Sequence, residues 1–290
     1  MENKLKIKVI APASKTEDIV SIIEKLKLKL HNEDIELIFD ESIFGNDTLP
    51  FFANSKQRRG LDLLESIQAE DYKIIWAARG GYGSGGLIEQ CLNIFPSKQK
   101  ILIGFSDITA LHLLFNQHYK MPTIHGPVIT SFVKNDDNFN EFRSILSGLP
   151  QIYNLRPLFQ EYSEEILGEI AGGNLTILTT LIGTKLSPIL KDKILLLEDV
   201  NEKGYQVHRH LMHLKQSGSL NGVCAIIFGD FSLSDKNLHI AIEDFCRYEI
   251  DIPAFYVDSI GHGKINKPIV MGAMSQIVGN TIKVDSPFHM

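Results

Sequence analysis

Residues 101–118 read ILIGFSDITALHLLFNQH. The first five are apolar or small and form a short run of the kind that fills a buried strand. From Asp107 the apolar residues recur at helical spacing, so a helix is expected over 107–118. Ser106 therefore sits where a buried strand turns directly into a helix, and Gly104 lies just before it, where the chain must bend tightly. A strand that feeds a helix in this way is half of a βα unit. If the pattern repeats, the sheet is parallel and covered on both faces.

It does repeat on the N-terminal side. IKVIAPA is followed by a stretch over 15–30 with Ile19, Ile22, Ile23, Leu26 and Leu30 roughly on one face. Then come IELIF (35–39), a helical stretch at 56–69, YKIIWAA (72–78) and a helix that opens near Ser84. Between about 133 and 165 the pattern weakens into VKNDDNFN and GLPQIYNLRPLFQEYSEE. An N-terminal domain over 1–150 and a linker over 151–165 are expected there, with a second domain over 166–290. That domain carries GEIAGGNLTIL, KILLLEDV, a helix at 203–217, VCAIIFGDF, a helix at 238–248 and PAFYVDSIGHG. It closes with IVMGAMSQIVGNTIKVDSP, where GlyAsn at 279–280 is a strong hairpin signal. The expectation is an α/β domain that finishes in antiparallel strands.

With 290 residues, 44% apolar and 22% charged, the chain falls in the ordinary globular range. A net charge of -6 argues against holding nucleic acid by phosphate neutralisation. The runs LysLeuLysLeuLys at 25–29 and Arg58-Arg59 read as solvated helix faces. Cys91, Cys224 and Cys246 show no CxxC spacing and read as buried reduced thiols, which suits a cytoplasmic location. MENKLKIKVIAPAS reads as a first strand, because its apolar stretch is too short for a secretory leader. No window approaches the ~18 apolar residues of a membrane span. No membrane partner is expected, nor a metal or other cofactor. His208, His210 and His213 share a helix at spacings that do not match the i, i+4 pair of a zinc site.

Four segments could carry chemistry. Ser106 is either an exposed nucleophile on a strand-to-helix elbow or an N-cap, and both readings are open at this point. The run Arg79-Gly80-Gly81-Tyr82-Gly83-Ser84-Gly85-Gly86 is either an anion cradle or a flexible turn. It lacks the Lys of a phosphate loop. Glu198 and Asp199 end a buried strand, the edge where open α/β sheets collect ligands, or else they cap the next helix or pair with a surface cation. His262 is framed by glycines in SerIleGlyHisGly (259–263), and of the 10 histidines it has the local setting best suited to catalysis. His125 in IHGPV could line the same cleft.

Taken together, APAS, RGGYGS, IGFSDITALH, HGP, AGGNL (171–175), LLLEDVNEKGYQVHRHLMHLKQSG and GHG resemble the LD-carboxypeptidase family of serine peptidases, which also contains the microcin-immunity peptidases. The order and spacing of the motifs are more specific than any one of them. The resemblance implies an N-terminal α/β sandwich, a smaller C-terminal domain and a homodimer. It implies a triad of Ser106 as nucleophile, Glu198 and His262, with the backbone N–H groups of Gly81 and Asp107 as oxyanion donors. APAS stands where APSS is more usual and Phe105 where Tyr is common, and neither change removes a group the mechanism needs.

A carboxypeptidase must also recognise a terminal carboxylate. Arg79 is the candidate cation, although it could equally pair with a neighbouring acid, and Tyr82 is a second substrate-binding candidate. The implied substrate is a muropeptide tetrapeptide that loses its terminal D-alanine in peptidoglycan recycling. Two other functions remain: a microcin-immunity-type peptidase acting on peptidyl or aminoacyl nucleotides, and a non-catalytic ligand-binding α/β protein. The first needs an aromatic platform for a base, and Trp76 lies inside an apolar strand.

Overall fold

The computed structural model describes residues 4–45, 47, 49–136, 139–159 and 162–288. The chain divides into two compact units, Met1–Phe139 and Asn140–Met290.

The first unit is built on β1 (Leu5–Ile10), β2 (Ile35–Ile38), β3 (Ile74–Ala77), β4 (Ile101–Gly104) and β5 (Thr123–His125). They pair in parallel in the order β5-β4-β3-β1-β2. Every residue of β3, β4 and β5 is buried, as expected for a parallel sheet covered on both faces. The covering helices include Ile19–Lys29 and Lys56–Gln68. Of the apolar stripe expected on the first, Ile19, Ile23 and Leu26 are buried. Trp76 is fully buried in β3; its indole N–H donates to Pro127 O at 2.9 Å and its ring meets Phe132 edge-on. This strand order reverses between β1 and β3, and the loops that leave those two strands flank the crevice where such sheets bind ligands.

The second unit is a closed barrel. Its strands are β6 (Gln151–Pro157), β7 (Ile166–Asn174), β8 (Lys193–Val200), β9 (Ala225–Ser232), β10 (Ala254–Gly261), and, after the short β11 (Ile269–Met271), β12 (Met274–Val278) and β13 (Thr281–Val284). The barrel order is β10-β6-β13-β12-β7-β8-β9. From β7 to β10 the strands are parallel, and helices Leu175–Thr180, Gly204–Gln216 and Leu238–Tyr248 lie between them in sequence. Antiparallel β12, β13 and β6 complete the circle, with Gly279 at φ 55° in the expected hairpin turn.

Several expectations need amendment. The stretch 151–165 opens with β6, whose residues alternate buried and exposed and whose Pro157 falls at the strand end, where a missing N–H is tolerated. Gln160 and Glu161, in the middle of that stretch, lie outside the described residues. Because β6 and the segment before it belong to the second unit, this unit is no shorter than the first. The basic runs are not wholly solvated. Lys29 donates to Phe132 O and Asn135 O at 2.8 and 2.7 Å, and Arg59 is only 3% exposed. Cys91 and Cys246 are buried and burial pushes both thiols up to about 12, whereas Cys224 is half-buried. No helix among the described residues is long and apolar enough to cross a membrane.

Gly172 in β7 shows how tightly the barrel is packed. Its φ is 117°, and a Cβ there would stand 2.1 Å from Leu196 O of the neighbouring strand. Gly172→Ala is expected to destabilise the protein by about 2 kcal/mol or more, combining a left-handed backbone penalty with a backbone clash. A lower midpoint in urea unfolding, at unchanged slope, is the measure.

Candidate active site

The elbow at Ser106 is built from the strand outward. A Cβ on Gly104 would come within 2.9 Å of Ile108, so only glycine lets the chain fold back this tightly. His112, fully buried, donates from Nε2 to Gly104 O at 2.9 Å and ties the helix to the strand end. Between them Ser106 has φ 63°, the left-handed region that a serine rarely occupies. The cap position falls on Phe105, with no side-chain capping bond. The N-cap reading of Ser106 is thereby set aside, and the strained strand-to-helix turn remains.

The glycine run is an ordered loop held from two sides. Asp107 is buried, and its carboxylate accepts from Ser84 N at 2.8 Å and Gly83 N at 3.3 Å, while Ser84 Oγ donates to Asp107 O at 2.6 Å. On the other side Ser14 Oγ accepts from Tyr82 N at 3.0 Å, and Ser14 N donates to Gly80 O at 3.2 Å. Gly80 packs against the nucleophile candidate: a Cβ there would lie 3.1 Å from Ser106 Cβ. Gly81 has φ 103° and lies so close to Ser14 that a Cβ would reach 2.3 Å from Ser14 Oγ. Tyr82, Gly83 and Ser84 thus spend their N–H groups inside the protein. The Gly81 N–H has no protein acceptor among the described residues.

Two residues that hold this loop carried no assigned role in the sequence. Ser14 is the last residue of APAS, whose sequence alone points to no chemical role. Arg59 lies beneath the loop, donating to Pro12 O at 2.6 Å, Gly83 O at 3.1 Å and Asn54 O at 3.0 Å, with its guanidinium 4.2 Å over the Phe52 ring. Tyr82 is exposed and stacks on Phe52. Arg79 is exposed as well, and Nη1 donates to Lys15 O at 2.7 Å. His125 is fully buried beside Phe105, with ring centroids 6.1 Å apart.

In the second unit the two acids at the end of β8 separate by function. Asp199 is saturated: it accepts from Asn174 Nδ2, Val200 N, Thr176 N and Thr176 Oγ1, all at 2.8–2.9 Å. Burial raises its pKa above the ordinary carboxylate value, partly offset by those bonds. Its task is to organise the start of helix Leu175–Thr180. Glu198 is fully buried, and its Oε2 is hydrogen-bonded to His262 Nδ1. A carboxylate can only accept, so Nδ1 carries the proton and Nε2 is left as the basic nitrogen. Gly261 makes the approach possible: at φ 111°, a Cβ would fall 2.7 Å from Glu198 Cβ. Asn266 Oδ1 accepts from Gly261 N at 2.9 Å and fixes that turn. Burial pulls the His262 pKa down, but the charge and hydrogen bond of Glu198, with Asp199 behind, together lift it above the ordinary histidine value.

His210 binds Thr179 Oγ1 at 2.8 Å, and His208 faces Asp244 at 3.6 Å. Among the described residues no cluster of three or more His, Cys, Asp or Glu could hold a metal ion.

A strained serine elbow at the end of a parallel strand, and a histidine oriented by a buried carboxylate, are the kinds of group that a serine hydrolase needs. The LD-carboxypeptidase N-terminal domain matches residues 7–126 and the LD-carboxypeptidase C-terminal domain matches residues 167–277. The chain belongs to this family and is a serine-type carboxypeptidase hydrolase. A carboxypeptidase homologue of Rickettsia conorii is 38% identical over 94% of this chain and 88% of its own length. The murein tetrapeptide carboxypeptidase of Pseudomonas aeruginosa is 28% identical over 96% of this chain and 94% of its own. The fold matches the crystal structure of muramoyltetrapeptide carboxypeptidase from Oxalobacter formigenes with TM-score 0.80 and 23% identity, over 96% of this chain and 99% of that one.

Glu198→Gln keeps the shape of the side chain but removes the charge that holds the imidazolium. Burial then acts on His262 with little opposition, so its pKa should fall below the ordinary histidine value. Titration of the His262 ring by NMR reads this directly. An unchanged midpoint would mean that Glu198 does not set the state of the ring.

Proposed function

We propose that this chain hydrolyses the L,D peptide bond that releases terminal D-alanine from muropeptide tetrapeptides, through a triad of Ser106, His262 and Glu198. The observation that carries the reading is the buried Glu198 bound to His262 Nδ1, because it fixes the tautomer that a general base requires. His262 Nε2 takes the Ser106 proton as Oγ attacks the scissile carbonyl. It returns that proton to the departing amine of D-alanine, leaving an acyl-enzyme at Ser106 that water hydrolyses by the same proton path. The N–H groups of Gly81 and Asp107 stabilise the oxyanion; losing one such donor typically costs about 3 kcal/mol of transition-state stabilisation. Arg79 recognises the terminal carboxylate, and Tyr82, exposed at the tip of the glycine loop, contacts the peptide. The names of the Pseudomonas aeruginosa and Oxalobacter formigenes relatives support murein peptide as the substrate class. In this reading the enzyme acts in the cytoplasm as a homodimer. Trp76 is buried in its strand, so it does not offer the base platform that the aminoacyl-nucleotide reading calls for.

Ser106→Ala is expected to lower D-alanine release from a defined tetrapeptide by 10³-fold or more, while circular dichroism and thermal midpoint stay close to the parent. Mass spectrometry of the products is the assay. Full activity in Ser106→Ala would overturn the proposal.

A further inference from the structure

The sheet order of the first unit reverses between β1 and β3, and the segments that leave these two strands line a cavity of about 540 Å³. Ser14, Lys15 and Thr16 come from the β1 side and Arg79 from the β3 side, with Lys134 further along the chain. Three cations, Lys15, Arg79 and Lys134, therefore line it against one acid, Glu17. None of the three cations forms an ion pair among the described residues. Thr16 supplies an independent sign of a missing ligand. It is 6% exposed, and its buried Oγ1 has no hydrogen-bond partner. Buried hydroxyls are normally satisfied, so an unpartnered hydroxyl on a residue that lines a cation-rich cavity points to an acceptor that a bound ligand would supply. The helix Ile19–Lys29 adds Ile22 to the wall. Phe51 and Ile22 give the cavity an apolar side.

We propose that this cavity is the subsite for a carboxylate of the peptide substrate, with the Thr16 hydroxyl as hydrogen-bond donor and Arg79 and Lys134 as its charge. The proposal rests on the peptidase reading above and adds Thr16 and Lys134 to the residues that select the substrate. The site is coupled to the chemistry through Ser14, which lines the cavity, binds Tyr82 N and abuts Gly81, while Gly80 abuts Ser106. A carboxylate held one loop-width from the nucleophile is that of the residue being released. A side-chain carboxylate is the other source with the same chemistry.

The test is calorimetric titration of the full-length Ser106→Ala protein with a tetrapeptide, its C-terminal amide and its side-chain amide. The C-terminal amide is expected to bind at least tenfold more weakly than the acid. Thr16→Val and Lys134→Gln, each added to Ser106→Ala, should weaken the acid fivefold or more and leave the C-terminal amide unchanged, and Thr16→Ser should restore acid binding. Weakening confined to the side-chain amide would support the subsite and assign it to that carboxylate. Equal binding of all three peptides, no binding of any, or variants that weaken acid and amide alike would overturn it. D-alanine release by the unmodified enzyme is measured separately. Release without acid-to-amide discrimination rejects the subsite alone, and discrimination without release rejects the peptidase reading alone.

Discussion

Ser106 has a left-handed backbone at the junction of a fully buried strand and a helix, and the first unit is organised around keeping it there. A serine in that region costs about 1–2 kcal/mol relative to ordinary backbone. The turn persists because its neighbours leave it no alternative. Gly104 admits the sharp bend, His112 anchors the helix to the strand end, and Asp107 clasps the glycine loop two hydrogen bonds deep. The loop is in turn braced by Ser14 and by Arg59, which gathers three backbone carbonyls beneath it. Strain at one residue is thus distributed over the loops leaving β1, β3 and β4. The outcome is a half-buried Ser106 held in one backbone conformation by the loops around it.

The barrel solves a different problem, that of keeping a carboxylate and an imidazole together away from water. Glu198 at the end of β8 is fully buried, and a buried charge without a partner would be costly. His262 supplies the partner, and the positive φ of Gly261 brings the histidine segment within reach. Asp199, one residue on, faces the other way and spends its oxygens on helix Leu175–Thr180. Two adjacent acids on a strand point to opposite sides, so Glu198 meets His262 while Asp199 carries the local structure.

How much of this could be read beforehand follows from the physics of each element. The βα alternation of the first unit was plain, because buried parallel strands are continuous apolar runs. The C-terminal hairpin was plain too, because GlyAsn demands its turn. The closing strand β6 is hidden because QIYNLRP has polar residues at 151, 154 and 156, with Gln151 buried and Ile152 exposed, so its burial alternates without a matching alternation of polarity. The basic pair at 58–59 does not reveal in sequence that Arg59 points inward to backbone carbonyls. The choice between Glu198 and Asp199 could not be made from sequence spacing, since both end the same strand. It takes the hydrogen-bond partners of each to separate them.

The account stands on Ser106 becoming covalently acylated. Acid quenching of the enzyme during turnover of a tetrapeptide, followed by proteolysis and mass spectrometry of the segment containing residues 101–118, reads that intermediate directly. The account predicts an adduct at Ser106 equal to the substrate acyl group without its terminal alanine. Turnover with the adduct on another residue and none on Ser106 would contradict it.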